Sequence, residues 1–198
     1  MPRIRPYRVG DEPELANVCL QTADAGGDAT GLLDDNELWA NLFVLPYVER
    51  HPELAFVAET DDGRVAGYVV GASDTDEFET WFRERWWPRF AARWPEPATE
   101  LTRQDGLLRY AYDRGSAPVA HAAEYPAHLH IDLLPELQGQ GLGRQLIDAL
   151  IGALRAAGVS GVHAVSFAEN TGAVAFYRRL GFSEVAREPS LIMFGMRL

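Results

Sequence analysis

Lysine is absent. All 18 basic residues among the 198 are arginine, against 29 acidic ones, for a formal net charge of −11. Without lysine there is no Schiff-base chemistry and no Walker A phosphate loop, which needs its lysine at the terminal phosphates. Cysteine occurs once, at Cys19, which excludes an internal disulfide and any cysteine-based zinc site. Cys19 lies at helical spacing from Leu15 and reads with Leu15 and Val18 as core. No apolar run reaches the roughly 18 residues of a membrane helix, and the N-terminal stretch has no apolar signal core. A soluble, cytoplasmic protein with no membrane role is expected. No basic stripe appears, so nucleic acid is not an expected partner. The acidic balance favours solubility and mildly steers a cationic ligand.

With 47% hydrophobic residues, the chain reads as one domain with its own core. Its organising stretch is residues 128–144, HLHIDLLPELQGQGLGR. Strict alternation predicts a strand, with Leu129, Ile131 and Leu133 on one face and His128, His130 and Asp132 on the other. A loop containing Gly139 and Gly141 follows Pro135. A helix then carries Leu146, Ile147, Leu150, Ile151 and Leu154 on one face and stops at Gly158. Strand, glycine loop and helix N-terminus form a phosphate cradle, because backbone N–H groups can approach an anion there. A dinucleotide-type G-x-G-x-x-G counted from Gly139 fails at Arg144. The pattern that is filled is Q-x-x-G-x-G, at Gln138, Gly141 and Gly143.

Elsewhere the pattern predicts an opening strand at 4–7 and a helix to about Ala23 capped by Asp11. A glycine loop at 24–30 and a helix over 35–45 that ends or kinks near Pro46 come next. Strands at 54–59 and 65–71 flank the hairpin signal Asp61-Asp62-Gly63-Arg64. Residues 75–100 hold four of the five tryptophans, with Phe78, Trp81, Phe82, Trp86, Trp87, Phe90 and Trp94 at helical spacings broken or bent near Pro88. This stripe either packs an insertion onto the sheet or walls a groove for an acceptor or partner. A short helix over 107–113 follows. Downstream come a strand at 162–167, a helix from Asn170 stopped by Gly181, and closing strands at 183–185 and 191–196.

The segment 170–182, NTGAVAFYRRLGF, fills N-x-x-A-x-x-F-Y-x-x-x-G-F with Asn170, Ala173, Phe176, Tyr177, Gly181 and Phe182. Together with Q-x-x-G-x-G, in this order, it resembles the GNAT superfamily of N-acetyltransferases. Residues 24–30, the 128–144 block and GVHAVSFAEN also resemble the acetyltransferase-like C-terminal domain of O-GlcNAcases and its free-standing bacterial relatives. The resemblance implies a mixed α/β GNAT fold, a mostly antiparallel twisted sheet flanked by helices. It would form a single domain over 1–198, with 73–126 as a helical, aromatic-rich insertion and 127–182 as the cofactor core. The eukaryotic domain is regarded as a pseudo-acetyltransferase with a degraded loop. Here the loop is intact.

By the same resemblance the cosubstrate is acetyl-CoA and no metal is involved. Asp132, Leu133 and Leu134 would border its pantetheine arm like an added strand. Gln138, Gly139, Gln140, Gly141, Leu142, Gly143 and Arg144 would hold its pyrophosphate. A backbone N–H near Leu133 or Leu134 would polarise the thioester. Asn170 would orient the arm, and Tyr177 would protonate the departing thiolate. The base is open: Asp132 or His130 could take the amine proton, the polar face could instead be structural, or Asp24, Asp28 or Glu77 could serve. Metal binding by H-x-H-x-D is a further reading. The expected acceptor is a small-molecule amine or a protein lysine or peptide. A homodimer is expected if the insertion exposes its aromatics, and the alternative function is a peptide-binding module without turnover.

Overall fold

The computed structural model describes all residues, 1–198. Seven strands form one sheet in the order β1-β2-β3-β4-β5-β7-β6, with β1 at Arg3–Pro6, β2 Ala55–Glu59, β3 Val65–Ala72, β4 Ala127–Leu133, β5 Gly161–Phe167, β6 Ser183–Arg187 and β7 Leu191–Arg197. All neighbours are antiparallel except β4 and β5. That one parallel pair is short. Ala127 pairs with Val162 and His128 with His163, and then the two strands part. β3 on one side of the gap and β7 on the other stay paired along their lengths, so the sheet opens as a wedge at its centre.

Helices cover both faces. Helix α6 (Leu142–Ala156) buries Leu146, Ile147, Leu150 and Leu154 against β1 to β4. On the other face lie α1 (Glu12–Thr22), α2 (Glu37–Phe43) and α3 (Leu45–Arg50). Central strand β3, VAGYVVGA, is buried at every residue, as a strand covered on both sides must be.

Four local expectations need correction. Asp11 precedes α1 but does not cap it: its carboxylate accepts Arg5 Nη1 at 2.7 Å and Nη2 at 2.8 Å. A buried guanidinium left unpaired would be far more costly than an uncapped N–H. The helix expected over 35–45 is two helices, broken at Val44, with Pro46 in the first turn of α3 where its missing N–H loses nothing. The aromatic segment is likewise no single bent helix. Helix α4 (Thr75–Trp81) passes through a π turn at Phe82–Trp86 and a tight turn at Trp87–Phe90. Helix α5 (Arg103–Asp113) starts a turn earlier than its apolar pattern suggests, because Thr102 and Asp105 form a reciprocal capping box.

Phe78, Phe82, Trp86, Trp87 and Trp94 are buried in the main core. Trp86 Nε1 donates to the Asn41 carbonyl at 2.9 Å and Trp94 Nε1 to Asp35 at 3.0 Å. Trp81 and Phe90 are only partly buried, so most of the stripe is packing and little of it is exposed for a homodimer. Cys19 is buried as expected, and burial pushes its thiol pKa well up.

Candidate active site

The wedge between β4 and β5 continues into a cleft of about 580 Å³. Its walls come from β4, the loop before α6, helix α7 (Thr171–Arg179) and the end of α1. Of the residues singled out by the sequence motifs, Asp132, Leu133, Gln138, Gly139, Gly141, Gly143, Arg144, Asn170 and Tyr177 all line it.

Gly139 and Gly141 take φ of +73° and +79°, and a Cβ at either would meet no atom within 4 Å. Left-handed backbone suits glycine, while the open space leaves a face of bare amides at the entrance to α6. Gly141 is the N-cap of that helix, so the first-turn N–H groups at Leu142, Gly143 and Arg144 have no intrahelical carbonyl to bond. With the helix dipole they make an anion site. Two side chains shape the loop from inside: Gln138 donates to the Leu133 carbonyl at 2.9 Å and Gln140 to the Glu136 carbonyl at 2.6 Å. The Leu134 and Leu142 side chains are buried in the core, so only their backbone could meet a ligand.

The Leu134 N–H is not free to do so. It donates to Ala66 on β3 at 2.9 Å, which corrects one of the two positions expected to polarise a carbonyl. Alternation along an antiparallel ladder then turns the N–H groups of Leu133 and Ile131 toward the wedge.

Asn170 caps α7, its Oδ1 accepting the Ala173 N–H at 3.0 Å. Two turns along, Tyr177 is 5% exposed and stacks on Phe194 with ring centroids 5.3 Å apart. Its hydroxyl has no hydrogen-bond partner in the protein, yet it is not among the sealed, orphaned polar atoms, which are only the indole nitrogens of Trp39 and Trp87. It therefore opens into the cleft. Burial raises its pKa, and the Asp132 charge adds to this, so the proton stays on the phenol.

The polar face of β4 resolves into two parts. Asp132 is half-buried at the cleft wall, and its Oδ2 accepts the Tyr68 hydroxyl at 2.6 Å. Burial raises its carboxyl pKa, with Tyr68 and Thr22 hydrogen bonds pulling the other way. His128 is fully enclosed, bonded through Nε2 to the Tyr47 hydroxyl at 2.8 Å and through Nδ1 to Thr75 at 2.9 Å. His130 touches the same Tyr47 oxygen through Nε2 at 3.0 Å. Burial, then the Arg114 charge, pushes the His130 pKa down to about 3. No three His, Cys, Asp or Glu side chains stand close enough to hold a metal ion, and no helix is long and apolar enough to cross a membrane.

Several cleft residues escaped sequence reasoning. Arg179 joins Arg144 at the mouth, and Arg144 Nη2 bonds the Arg179 carbonyl at 3.2 Å. Thr22 and Gly26 come from elements remote in sequence, and Tyr68, outside the cleft lining, reaches Asp132 from β3. Arg179 could have been found, since it follows Tyr177 by two residues at the end of the second motif. Thr22 and Tyr68 carry no local signal. Of the other base candidates, Asp24 is paired with Arg103 and Glu77 with Arg50, both by exposed ion pairs, and Asp28 bonds Thr30. None of the three lines the cleft.

A sheet opened at its centre between parallel strands, with an amide cradle at one end, defines an acyl-CoA-type transferase fold. The model of the acetyltransferase (GNAT) family matches residues 24–182, and the chain belongs to that family. It is therefore an acyltransferase by class. The crystal structure of SsHAT is 39% identical, with a TM-score of 0.94 over 99% of this chain and 98% of that one. Protein O-GlcNAcase of Rattus norvegicus is 23% identical over 189 residues, 93% of this chain but 20% of the relative, so the chain spans about a fifth of that protein. The structure of yncA from Salmonella typhimurium, solved with its cofactor acetyl-CoA, is 18% identical with a TM-score of 0.60 over 100% of this chain and 94% of that one.

Proposed function

We propose that the chain is an acetyl-CoA-dependent N-acetyltransferase that passes acetyl directly to an amine while both substrates are bound. The observation that carries this reading is the cleft: bare amides and two arginines at one end, an unpartnered phenol and a carboxylate with a raised pKa at the other. Acetyl-CoA supplies the activated acetyl thioester. The Gly139–Arg144 backbone and the Arg144 and Arg179 guanidinium groups suit its phosphates. The unpaired edge of β4 suits the pantetheine amides, as an added strand would.

Asp132 is the base. Its raised pKa makes it a better proton acceptor than an ordinary carboxylate. It takes a proton from the acceptor ammonium. The N–C bond then forms, the C–S bond breaks, and Tyr177 gives its proton to the sulfur. The second proton of the former amine passes to the Tyr177 oxygen, leaving a neutral amide. The Ile131 or Leu133 N–H supports the carbonyl oxygen as charge gathers on it. A covalent acetyl-enzyme has no support, because Cys19 is sealed in the core with its thiol held protonated. The binding-module alternative leaned on an aromatic groove and the lack of an evident base; five of the seven rings are buried, and Asp132 offers a base.

The test is a thermal shift. Acetyl-CoA at about 100 times its Kd should stabilise the protein by about 2.7 kcal/mol, or roughly 5–10 °C at this size. No shift at millimolar ligand would sink the reading.

A further inference from the structure

A chain of hydrogen bonds fixes where His130 keeps its lone pair. The Thr75 hydroxyl lies 2.7 Å from the Pro126 carbonyl oxygen. Two oxygens that close need a proton between them, and only Thr75 can supply it. Its oxygen must then accept from His128 Nδ1, which leaves His128 Nε2 bare. The Tyr47 hydroxyl donates to that nitrogen, so it has no proton left for His130. His130 Nε2 must therefore carry the hydrogen it gives to Tyr47, and Nδ1 carries the lone pair. Both rings are neutral, since burial lowers both pKa values.

That Nδ1 has no partner in the protein and is not a sealed orphan. His130 is the first residue on its face of β4 after the strands part, and Asp132 follows on the same face about 7 Å along. Apart from Tyr47 and the charge of Arg114, which is paired with Glu79, the neighbours of His130 are aromatic. Phe43 meets the His130 ring edge-on at 5.6 Å and stacks on Tyr110 at 6.0 Å, and Tyr110 is 45% exposed. Across the wedge, the face of β5 that continues from His163 leaves Val165 53% and Phe167 46% exposed.

We propose that His130 is the acceptor-docking residue: its Nδ1 receives an N–H of the incoming amine, whose apolar stem lies over Phe43 and Tyr110. This rests on the acetyl-transfer reading. An ammonium placed there gives one proton to Asp132 and keeps a hydrogen bond to His130, which leaves the new lone pair free to attack. His130 accepts a hydrogen bond and takes no proton.

The probe is n-hexylamine, with methylamine as the stemless control. His130→Asn puts an amide oxygen where Nδ1 stood, whereas His130→Gln can reach Tyr47 but offers nothing at the Nδ1 position. The expected result is an acceptor KM raised about tenfold in His130→Gln, restored to within about threefold in His130→Asn. KM for acetyl-CoA stays unchanged in both. Equal acceptor KM in the Gln variant and the parent would overturn the proposal. 15N NMR of labelled histidine, which needs no turnover, should show a bare Nδ1 and a protonated Nε2 at His130, with Nδ1 shifting as n-hexylamine is added beside CoA. A protonated Nδ1, or no shift in a protein that acetyl-CoA stabilises, overturns the docking role while the cofactor reading stands. Absence of stabilisation by acetyl-CoA overturns the reading beneath it.

Discussion

The cofactor cleft and the aromatic insertion use the same residue types to opposite ends. In the insertion, Gly115 is glycine because a Cβ would come within 2.5 Å of the Glu79 carbonyl oxygen. In the cleft, Gly139 and Gly141 are glycine beside empty space. The insertion's buried cation, Arg114, is fully engaged: two bonds of 2.7 Å to Glu79, one of 2.9 Å to the Leu42 carbonyl, and a face-on contact with Phe82 at 3.8 Å. The cleft's Tyr177 hydroxyl is bonded to nothing, and neither is His130 Nδ1 on the polar face of β4. Packing closes most polar groups it reaches, the indole nitrogens of Trp39 and Trp87 being the sealed exceptions. Groups left open beside a cavity mark where a ligand goes.

Substitutions on the two sides should therefore separate stability from binding. Arg114→Leu strands Glu79 in the core and should lower stability by about 3–5 kcal/mol, roughly 10 °C or more in Tm, with acetyl-CoA affinity kept per folded molecule. Calorimetric unfolding plus titration would check it, and a stable variant with weakened affinity would blur the division. Gly141→Glu is its mirror. A carboxylate about 4 Å from a phosphate opposes binding by up to about 4 kcal/mol, so affinity should fall at least about 100-fold, while Tm moves by only a few degrees. Undiminished affinity would mean that the loop is not the cradle.

Tyr177→Phe should lower kcat by about 100-fold and leave KM for acetyl-CoA within about twofold. Equal turnover would remove the phenol from the acid role. The smallest effect is in the pH profile. On the proposed role of Asp132, only its ionised form can act as base, so kcat/KM should climb with pH through its carboxyl pKa, which burial places above the ordinary value. Asp132→Asn should abolish this limb along with most of the activity. The stability linkage has the opposite sign. A raised folded pKa favours the protonated carboxyl, so that contribution is present below the unfolded pKa and disappears as pH rises through the folded one.

Much of the cleft was legible in the sequence because its motifs are local. Gln138 to Arg144 and Asn170 to Phe182 are each one strand–loop–helix or one helix, and short-range spacing encodes both. The alternation that predicted β4 also put His128, His130 and Asp132 on one face, as found. It could not divide their labour, since that depends on Tyr47, Tyr68 and Thr75 from three other elements. Asp11 failed as a cap for the same reason: Arg5, six residues away across a turn, competes for it. The aromatic stripe had correct burial but the wrong backbone, because periodicity cannot tell an α turn from a π or tighter one. Leu134 was misplaced as a donor because strand ends depend on their neighbours' carbonyls, here Ala66.

The sheet is joined at its middle by only two residue pairs, Ala127–Val162 and His128–His163. Beyond them, β1 to β4 form one half and β5 to β7 the other, like a book held open near its spine. A pantetheine arm seated in the gap would serve as the missing rung between the halves. Local opening there would then become rarer as the cosubstrate is supplied, and proteases that cut opened chains would find fewer of them.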